Sequence, residues 1–193
     1  MNQYTEIHND LIQLCKKKDS TAQYKIYKLY YKAMYNTSLR ILNNSADAED
    51  IMQEAFLSAF SKIDLYKGEV SFGAWLRRIV INMSLDYLRK KSKHQLVYEI
   101  EPLNTVPVDV EYMVNEKDEN AVITKIQEAA TLLPDGYRVI FSLNLLEGYD
   151  HDEISEILKI TPSTSRSQLA RAKKKLIEIM ETQTLKNEVY ERA

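Results

Sequence analysis

The stretch Asp150–Leu176, DHDEISEILKITPSTSRSQLARAKKKL, decides how the rest of the chain is read. Asp150 followed by Glu153 is a capping-box start, an acceptor at the N-cap with a carboxylate three residues on that reaches back. Ile154, Ile157 and Leu158 then form one apolar face. After a short turn at Lys159-Ile160, Thr161 can cap a second helix with Pro162 at its first position, where the missing N–H costs nothing. In that helix Ser165, Leu169, Ala172 and Leu176 share one side, at i, i+4, i+7 and i+11. Ser163, Thr164, Arg166, Ser167, Arg171 and Lys174 are left facing outward. A short helix, a tight turn and a second helix with a small, polar, cationic face are what reading a DNA major groove requires. Arg can grip guanine with two hydrogen bonds, and Ser or Thr can reach bases or phosphates. Two short amphipathic helices also occur in plain bundles, so the pattern alone favours a helix-turn-helix without excluding a bundle.

Upstream of this pair, helical periodicity runs from Asn120 to Leu133, stops at Pro134-Asp135-Gly136 and resumes from Tyr137 to Leu146, with Gly148 placed to end it. Residues 93–119 lose the pattern. Pro102, Pro107 and a Val/Asp/Glu-rich composition predict a flexible acidic linker. Before it, residues 5–92 form a run of helices with almost no breakers. Leu11, Leu14, Ile26, Leu29, Ala33 and Leu39 recur at helical spacing, interleaved with Tyr24, Tyr27, Tyr30, Tyr31 and Tyr35. Those rings are read as core and boundary packing with wet hydroxyls rather than as a base-stacking surface. Asn43-Asn44-Ser45 interrupts the run and offers an N-cap. Acids at 47, 49 and 50 suit the positive end of the helix that follows. A turn comes at Tyr66-Lys67-Gly68, and a further helix runs from Ser71 to about Lys91. The expected architecture is all-α: an N-terminal helical bundle over 1–92, the linker 93–119, a helix-turn-helix domain over 120–185 and a tail 186–193.

Composition limits the function classes. The chain has 193 residues, four Gly, four Pro and a net charge of −2. Cys15 is its single cysteine and the three His are scattered, so neither a disulfide framework nor a multi-thiolate metal site is expected, and no cofactor. Met1–Asp10 has no apolar core of the secretory kind, and no run approaches a membrane span, so a cytoplasmic location is expected. The near-neutral total hides segregation. Lys67–His94 holds seven Lys/Arg against two acids, Thr161–Ile177 five against none, and Ala46–Phe60 four acids and no base. Blocks this polarised suit several charged partners, although each block alone would also serve as a solvated helix face.

The C-terminal residues resemble a known family. Leu133-Pro134-Asp135-Gly136-Tyr137-Arg138-Val139-Ile140-Phe141, then Glu147-Gly148-Tyr149 and Glu153-Ile154, then Thr164-Ser165-Arg166-Ser167-Gln168-Leu169-Ala170-Arg171-Ala172, look like the C-terminal domain of the extracytoplasmic-function (ECF) sigma factors of bacterial RNA polymerase. The resemblance implies binding to the minus-thirty-five promoter element, with Arg166, Ser167, Ala170 and Arg171 at the DNA-reading positions, Thr164 beside them and Lys174 on phosphate. Two residues depart from the family pattern. Lys159 stands where a turn glycine is usual, and Ser163 where a glycine often precedes the threonine. The turn at 159 must therefore be made by a residue with a Cβ, at some strain. Ala170 is small and could offer only contact with a thymine methyl.

Two further segments carry the same resemblance. In Ser45–Phe60, SADAEDIMQEAFLSAF, Ile51, Ala55 and Ala59 share one side with Met52 and Phe56 adjoining, while Asp47, Asp50 and Glu54 form a neighbouring stripe. Paired carboxylates raise the prospect of metal binding or acid/base chemistry, but no histidine or further acid cluster accompanies them, and a solvated acidic face is the simpler reading. The run resembles the family's helix that docks on the clamp helices of the polymerase's largest subunit. That likeness implies contacts by Asp50, Gln53 and Glu54, with Asp47 supporting. In Phe72–Lys91, Leu76, Ile79, Val80, Met83 and Tyr87 can face a core, opposite Arg77, Arg78, Asn82, Asp86, Arg89 and Lys90. Base-edge hydrogen-bonding groups among cations suit a strand with extruded bases. The phrase Trp75-Leu-x-x-Ile-x-x-Asn82-x-x-x-Asp86 resembles the family's region that opens and reads the minus-ten element. It implies Asn82 and Asp86 on bases, Arg77, Arg78 and Arg89 on phosphates, and Lys67-Gly68 in the loop beside the extruded base. Trp75, in the same set, is by itself more often a core residue than a stacking platform.

The resemblance spans residues 8 to 180 with three motifs in family order. It implies a non-enzymatic specificity subunit that binds core RNA polymerase and directs promoter-specific initiation on double- and single-stranded promoter DNA. It further implies a free monomer restrained by an anti-sigma factor, a membrane-anchored one among the alternatives, and a linker whose acidity mimics RNA in the polymerase channel. Two other classes remain to be weighed. A dimeric helix-turn-helix activator or repressor would be told apart by size. A helical-bundle enzyme using Asp47, Asp50, Glu54 and His151 would need residues that fall in different domains.

Overall fold

The computed structural model describes residues 8–91 and 119–191, and among them there are eight α-helices and no strand. The expected acidic linker lies outside the described residues except for Glu119. The chain separates into two compact units, Met1–Gln95 and Leu96–Ala193.

In the first unit, α1 (Asn9–Lys16), α2 (Ser20–Leu42), α3 (Ser45–Ser61) and α4 (Phe72–Lys91) pack around one core, with a 3₁₀ turn at Ile63–Leu65. The corners are made by polar side chains. The long helical run expected over 5–92 breaks at Lys17-Lys18-Asp19, where neither Gly nor Pro marks a boundary. Lys18 adopts the left-handed conformation at φ 63, and Asp19 caps α2 by accepting from the Ala22 N–H at 2.7 Å. At the next corner Asn43, at φ 53, closes α2 by donating its N–H to the Leu39 carbonyl. Asn44 then opens α3 by accepting from the Asp47 N–H at 3.0 Å. Asn tolerates the left-handed well because its short amide bonds locally. Two residues thus turn the chain. Ser71 caps α4 through the Ala74 N–H.

The buried face of α2 is Ala22, Ile26, Met34, Thr37, Ser38, Ile41 and Leu42. Leu29 and Ala33, which recur at helical spacing in the sequence, are exposed, as is Tyr24, which departs from the boundary packing expected of it, and so is Leu14 of α1, whose inward residues are Ile12 and Cys15. The reason is phase: Leu and Tyr occupy both sides of α2, and the half-buried Tyr27, Tyr30, Tyr31 and Tyr35 line the core's rim. On α3 the inward residues are Ala48, Ile51, Met52, Ala55, Phe56 and Ala59. On α4 the core extends past the residues named from the sequence to Phe72, Ile81, Leu85 and Leu88, because α2 and α3 flank it on two sides.

The second unit holds α5 (Glu119–Thr131), α6 (Asp135–Phe141), α7 (His151–Leu158) and α8 (Pro162–Glu191). Here α6 starts at Asp135, two residues before the expected Tyr137, and gives way to a π-helical turn at Ser142–Leu146. Buried Arg138 donates to the Leu133 carbonyl at 2.9 Å and to Asp135 at 2.6 Å, closing the α5–α6 corner. Past Gly148, at φ 78, the Tyr149 N–H meets the Leu143 carbonyl. Helix α8 continues to Glu191, through most of the tail expected from residue 186. Its Leu169, Ala172 and Leu176 are buried, and α5, α6 and α7 all pack against it.

Between α2 and α4 the fully buried hydroxyls of Ser38 and Ser84 lie 3.0 Å apart. Removing one strands the other in an apolar site, which costs about 1–3 kcal/mol, whereas removing both is close to neutral. Urea denaturation should therefore show Ser84→Ala less stable than the Ser38→Ala/Ser84→Ala double variant. Additive losses would mean the pair is not a hydrogen bond.

Candidate functional surfaces

Three faces carry the residues singled out in the sequence. On α3, Asp50, Gln53 and Glu54 are exposed, with Gln53 donating to Glu49 at 3.3 Å. Leu57, on the same side one turn further, is 71% exposed, an apolar residue the charge pattern had not drawn attention to. Asp47 departs from its neighbours. Its carboxylate accepts from the Tyr87 hydroxyl at 2.7 Å and from Lys91 Nζ at 2.5 Å, both on α4. Lys91 first, then Tyr87, hold the Asp47 carboxyl below its ordinary pKa by bonding its ionised form, and the same bond raises that of Tyr87. The partners are 40 and 44 residues away, so no local spacing could have revealed them.

The face of α4 and the loop before it form the second surface. Asn82, Asp86, Arg89 and Lys90 are exposed, and Arg77 and Arg78 are half-buried. Asp86 and Arg89 pair at 2.9 Å across one turn. Both are well exposed, so the pair is weak and can be exchanged for an external partner at little cost. Trp75 is half-buried. Its ring lies 5.4 Å from Tyr66 and 5.5 Å from Phe72, which leaves part of it at the surface. Tyr66 is the post on which the loop hangs. Its hydroxyl donates to the Val70 carbonyl at 2.8 Å, and its own carbonyl accepts from Lys16 Nζ at 3.2 Å. Gly68, at φ 77, supplies the backbone conformation this tight loop needs. Exposed Lys67 is thereby set near the first turn of α4 in sequence, on a loop tied at Tyr66.

The third surface belongs to α7 and α8. The Asp150/Glu153 capping box is complete: Asp150 accepts from the Asp152 and Glu153 N–H groups, and Glu153 accepts from the Asp150 N–H. Lys159 ends α7 at φ 60. The Thr164 N–H donates to the Thr161 hydroxyl at 3.1 Å, opening α8. His151 Nδ1 lies 2.9 Å from the buried Ser165 hydroxyl and ties the start of α7 to the first turn of α8. Sequence periodicity had put Ser165 inward but gave no sign of its partner. On the outer face Arg166, Ala170, Lys173 and Lys174 are exposed, whereas Thr164, Ser167 and Arg171 are half-buried. Ser167 bonds back to the Thr164 carbonyl at 3.0 Å.

The carboxylates Asp47, Asp50 and Glu54 lie in one unit and His151 in the other, engaged with Ser165. Among the described residues no group of three or more His, Cys, Asp or Glu is placed to hold a metal ion, and no helix is long and apolar enough to cross a membrane.

A lysine at φ 60 costs about 1–2 kcal/mol that glycine would not, partly offset by the greater freedom glycine has in the unfolded chain. Lys159→Gly is expected to raise the unfolding midpoint of the C-terminal unit, read by amide exchange in α7 and α8. An unchanged or lower midpoint would show the turn to be unstrained.

Comparison with known proteins follows the same division. Residues 26–94 match the family Sigma-70 region 2, and residues 123–176 match Sigma-70, region 4. Over 173 residues the chain is 32% identical to the ECF RNA polymerase sigma factor SigW of Bacillus subtilis, covering 86% of this chain and 92% of that protein. It is 28% identical over 143 residues to the ECF RNA polymerase sigma factor SigE of Mycolicibacterium smegmatis, covering 74% of this chain and 55% of that one. Among solved structures it is similar to the sigma factor RpoE of Bartonella quintana, co-crystallised with the anti-sigma factor NepR. There the TM-score is 0.55 at 19% identity, with 81% of this chain and 95% of that chain covered, a likeness of fold.

Proposed function

The chain belongs to the ECF family of RNA polymerase sigma factors, and from that premise we propose how its surfaces divide the work of promoter-specific transcription initiation. Its partners are core RNA polymerase, promoter DNA and an anti-sigma factor. The polymerase supplies the chemistry, and this chain supplies positioning and sequence choice in the cytoplasm, where the polymerase works.

Helix α3 docks on the clamp helices of the polymerase through Asp50, Gln53 and Glu54. The observation that carries this reading is an exposed acidic stripe on a helix whose opposite side is wholly spent on the core. Helix α4 and the loop before it take the minus-ten element. Asn82 and Asp86 meet extruded bases, Arg77, Arg78 and Arg89 hold phosphates, and Lys67 and Trp75 flank the base pocket. Helix α8 takes the minus-thirty-five element, with Arg166, Ser167, Ala170 and Arg171 at the reading positions and Thr164 and Lys174 on or near the backbone. What supports this is the exposed stripe Arg166–Ala170–Lys174 at the helix-turn-helix end of α8, opposite its buried Leu169 and Ala172.

Asp50→Lys combined with Glu54→Lys should abolish pull-down of core polymerase and leave the fold unchanged. Like charges at an interface cost several kcal/mol, while exposed substitutions change stability by about 0.5 kcal/mol or less. Wild-type recovery of polymerase would sink the docking assignment.

Reading and holding on α8 separate by salt and by sequence. Loss of a bidentate Arg contact costs about 1–3 kcal/mol and relaxes preference at one base pair. Loss of a phosphate contact weakens all sequences alike and flattens the salt dependence by about one unit. Transcription from a promoter library at two salt concentrations should therefore show Arg166→Ala holoenzyme losing discrimination at one minus-thirty-five position, and Lys174→Ala weakening every promoter. The same uniform loss in both would reduce Arg166 to a phosphate clamp.

A further inference from the structure

Asp47 shares the acidic stretch of α3 with Asp50 and Glu54, but its carboxylate is turned onto α4. One oxygen accepts from the Tyr87 hydroxyl at 2.7 Å and the other from Lys91 Nζ at 2.5 Å, while Lys91 Nζ stands 5.7 Å from the centre of the Tyr87 ring. The three groups close a triangle between the first turn of α3 and the last turns of α4. The place matters because the apolar anchoring of α4 ends at Leu88. Beyond it lie Arg89, Lys90 and Lys91, all exposed, and the bonds of Tyr87 and Lys91 to Asp47 tie these last turns of α4 across to α3.

We propose that Asp47, Tyr87 and Lys91 form a positioning latch that sets the DNA-facing end of α4 against the polymerase-facing helix α3, so that strand opening depends on it and affinity for core polymerase does not. The inference rests on the assignment of α3 to polymerase and α4 to the minus-ten element. The Lys91–Asp47 ion pair is weak support alone, since the Lys91 side chain is 55% exposed and the charge is screened. The half-buried Tyr87 hydroxyl supplies direction: a charge-assisted hydrogen bond fixes where the carboxylate, and through it the lysine, must sit. Tyr87→Phe is therefore the diagnostic change, because it keeps the ring, its packing and every charge and removes one bond.

The test is a double-mutant cycle of Asp47→Asn and Tyr87→Phe in reconstituted holoenzyme, at a temperature where circular dichroism shows every variant folded. Affinity for core polymerase and the rate of open-complex formation on duplex promoter are measured separately. Each single variant should bind core within about twofold of wild type and open promoter about three- to tenfold more slowly, the range one lost hydrogen bond supports. The double variant should be slowed by less than the product of the two single losses, since Asp47→Asn takes the charge from the acceptor that Tyr87→Phe deprives of its donor. Lys91→Arg, which keeps the charge and a donor, should open promoter at close to the wild-type rate. A Tyr87→Phe holoenzyme that opens promoter normally, or multiplying losses in the double variant, would overturn the latch. So would loss of core affinity in Asp47→Asn alone, which would make Asp47 a polymerase contact. Failure of the underlying assignment shows differently: Asp50→Lys/Glu54→Lys would then still bind core.

Discussion

Close approach at α3 governs the N-terminal unit. Ala48, Ala55 and Ala59 have no accessible surface, and between them Met52 and Phe56 fill the space toward α2 and α4. Small side chains at helical spacing let neighbouring helices pack near the helix axis, so α3 is held from two sides. That burial leaves a single direction in which Asp50, Gln53 and Glu54 can point. A larger residue at Ala55 would displace a helix instead of filling a hole. The outward chemistry of this unit is therefore decided by residues that carry none.

The three motifs were readable because each couples a chemical signature to a local rule. Asp150 and Glu153 cap each other across a single turn, Asn44 caps the helix just after it, and the inward set of α3 follows from its spacing alone. What escaped reading was non-local. Nothing in the sequence near Asp47 says that Tyr87 and Lys91 will claim it, and a carboxylate three residues before another looks like a member of the same stripe. Ser165 reads as an inward residue, but its bond to His151 is set by the crossing of two helices. The break at Lys17-Lys18-Asp19 lacked Gly and Pro, so only the capping ability of Asp19 marked it. On α2, apolar and aromatic residues on several sides left periodicity without a phase, and tertiary packing chose Met34 over Leu29. The π-helical turn after Phe141 had no signal in propensity.

The two units solve the same task by different means. In the first, the charged faces lie on separate helices, set relative to each other by the apolar packing of α3 and α4, to which the bonds of Asp47 with Tyr87 and Lys91 are added. In the second, one helix carries both the core face and the cationic face, so its setting depends on the turn that delivers the chain into it. Left-handed Lys159 and the Thr161 cap act within that turn, while the capping box fixes the start of α7 and the His151–Ser165 bond ties that start to the first turn of α8. These bonds gather where the chain changes direction, which is where an angular error would move an outward side chain furthest.

The exposed stripe Arg166–Ala170–Lys174 takes no part in holding α8 in place, because Ser165, Leu169, Ala172 and Leu176 do that from the other side. Substitutions on such a face leave stability almost untouched. Descendants of a duplicated copy can therefore exchange these residues while inheriting the scaffold intact and, on the proposed minus-thirty-five role of this face, exchange with them the set of genes they switch on. A cell can accumulate parallel regulatory circuits in this way, each differing from the last by a few surface residues.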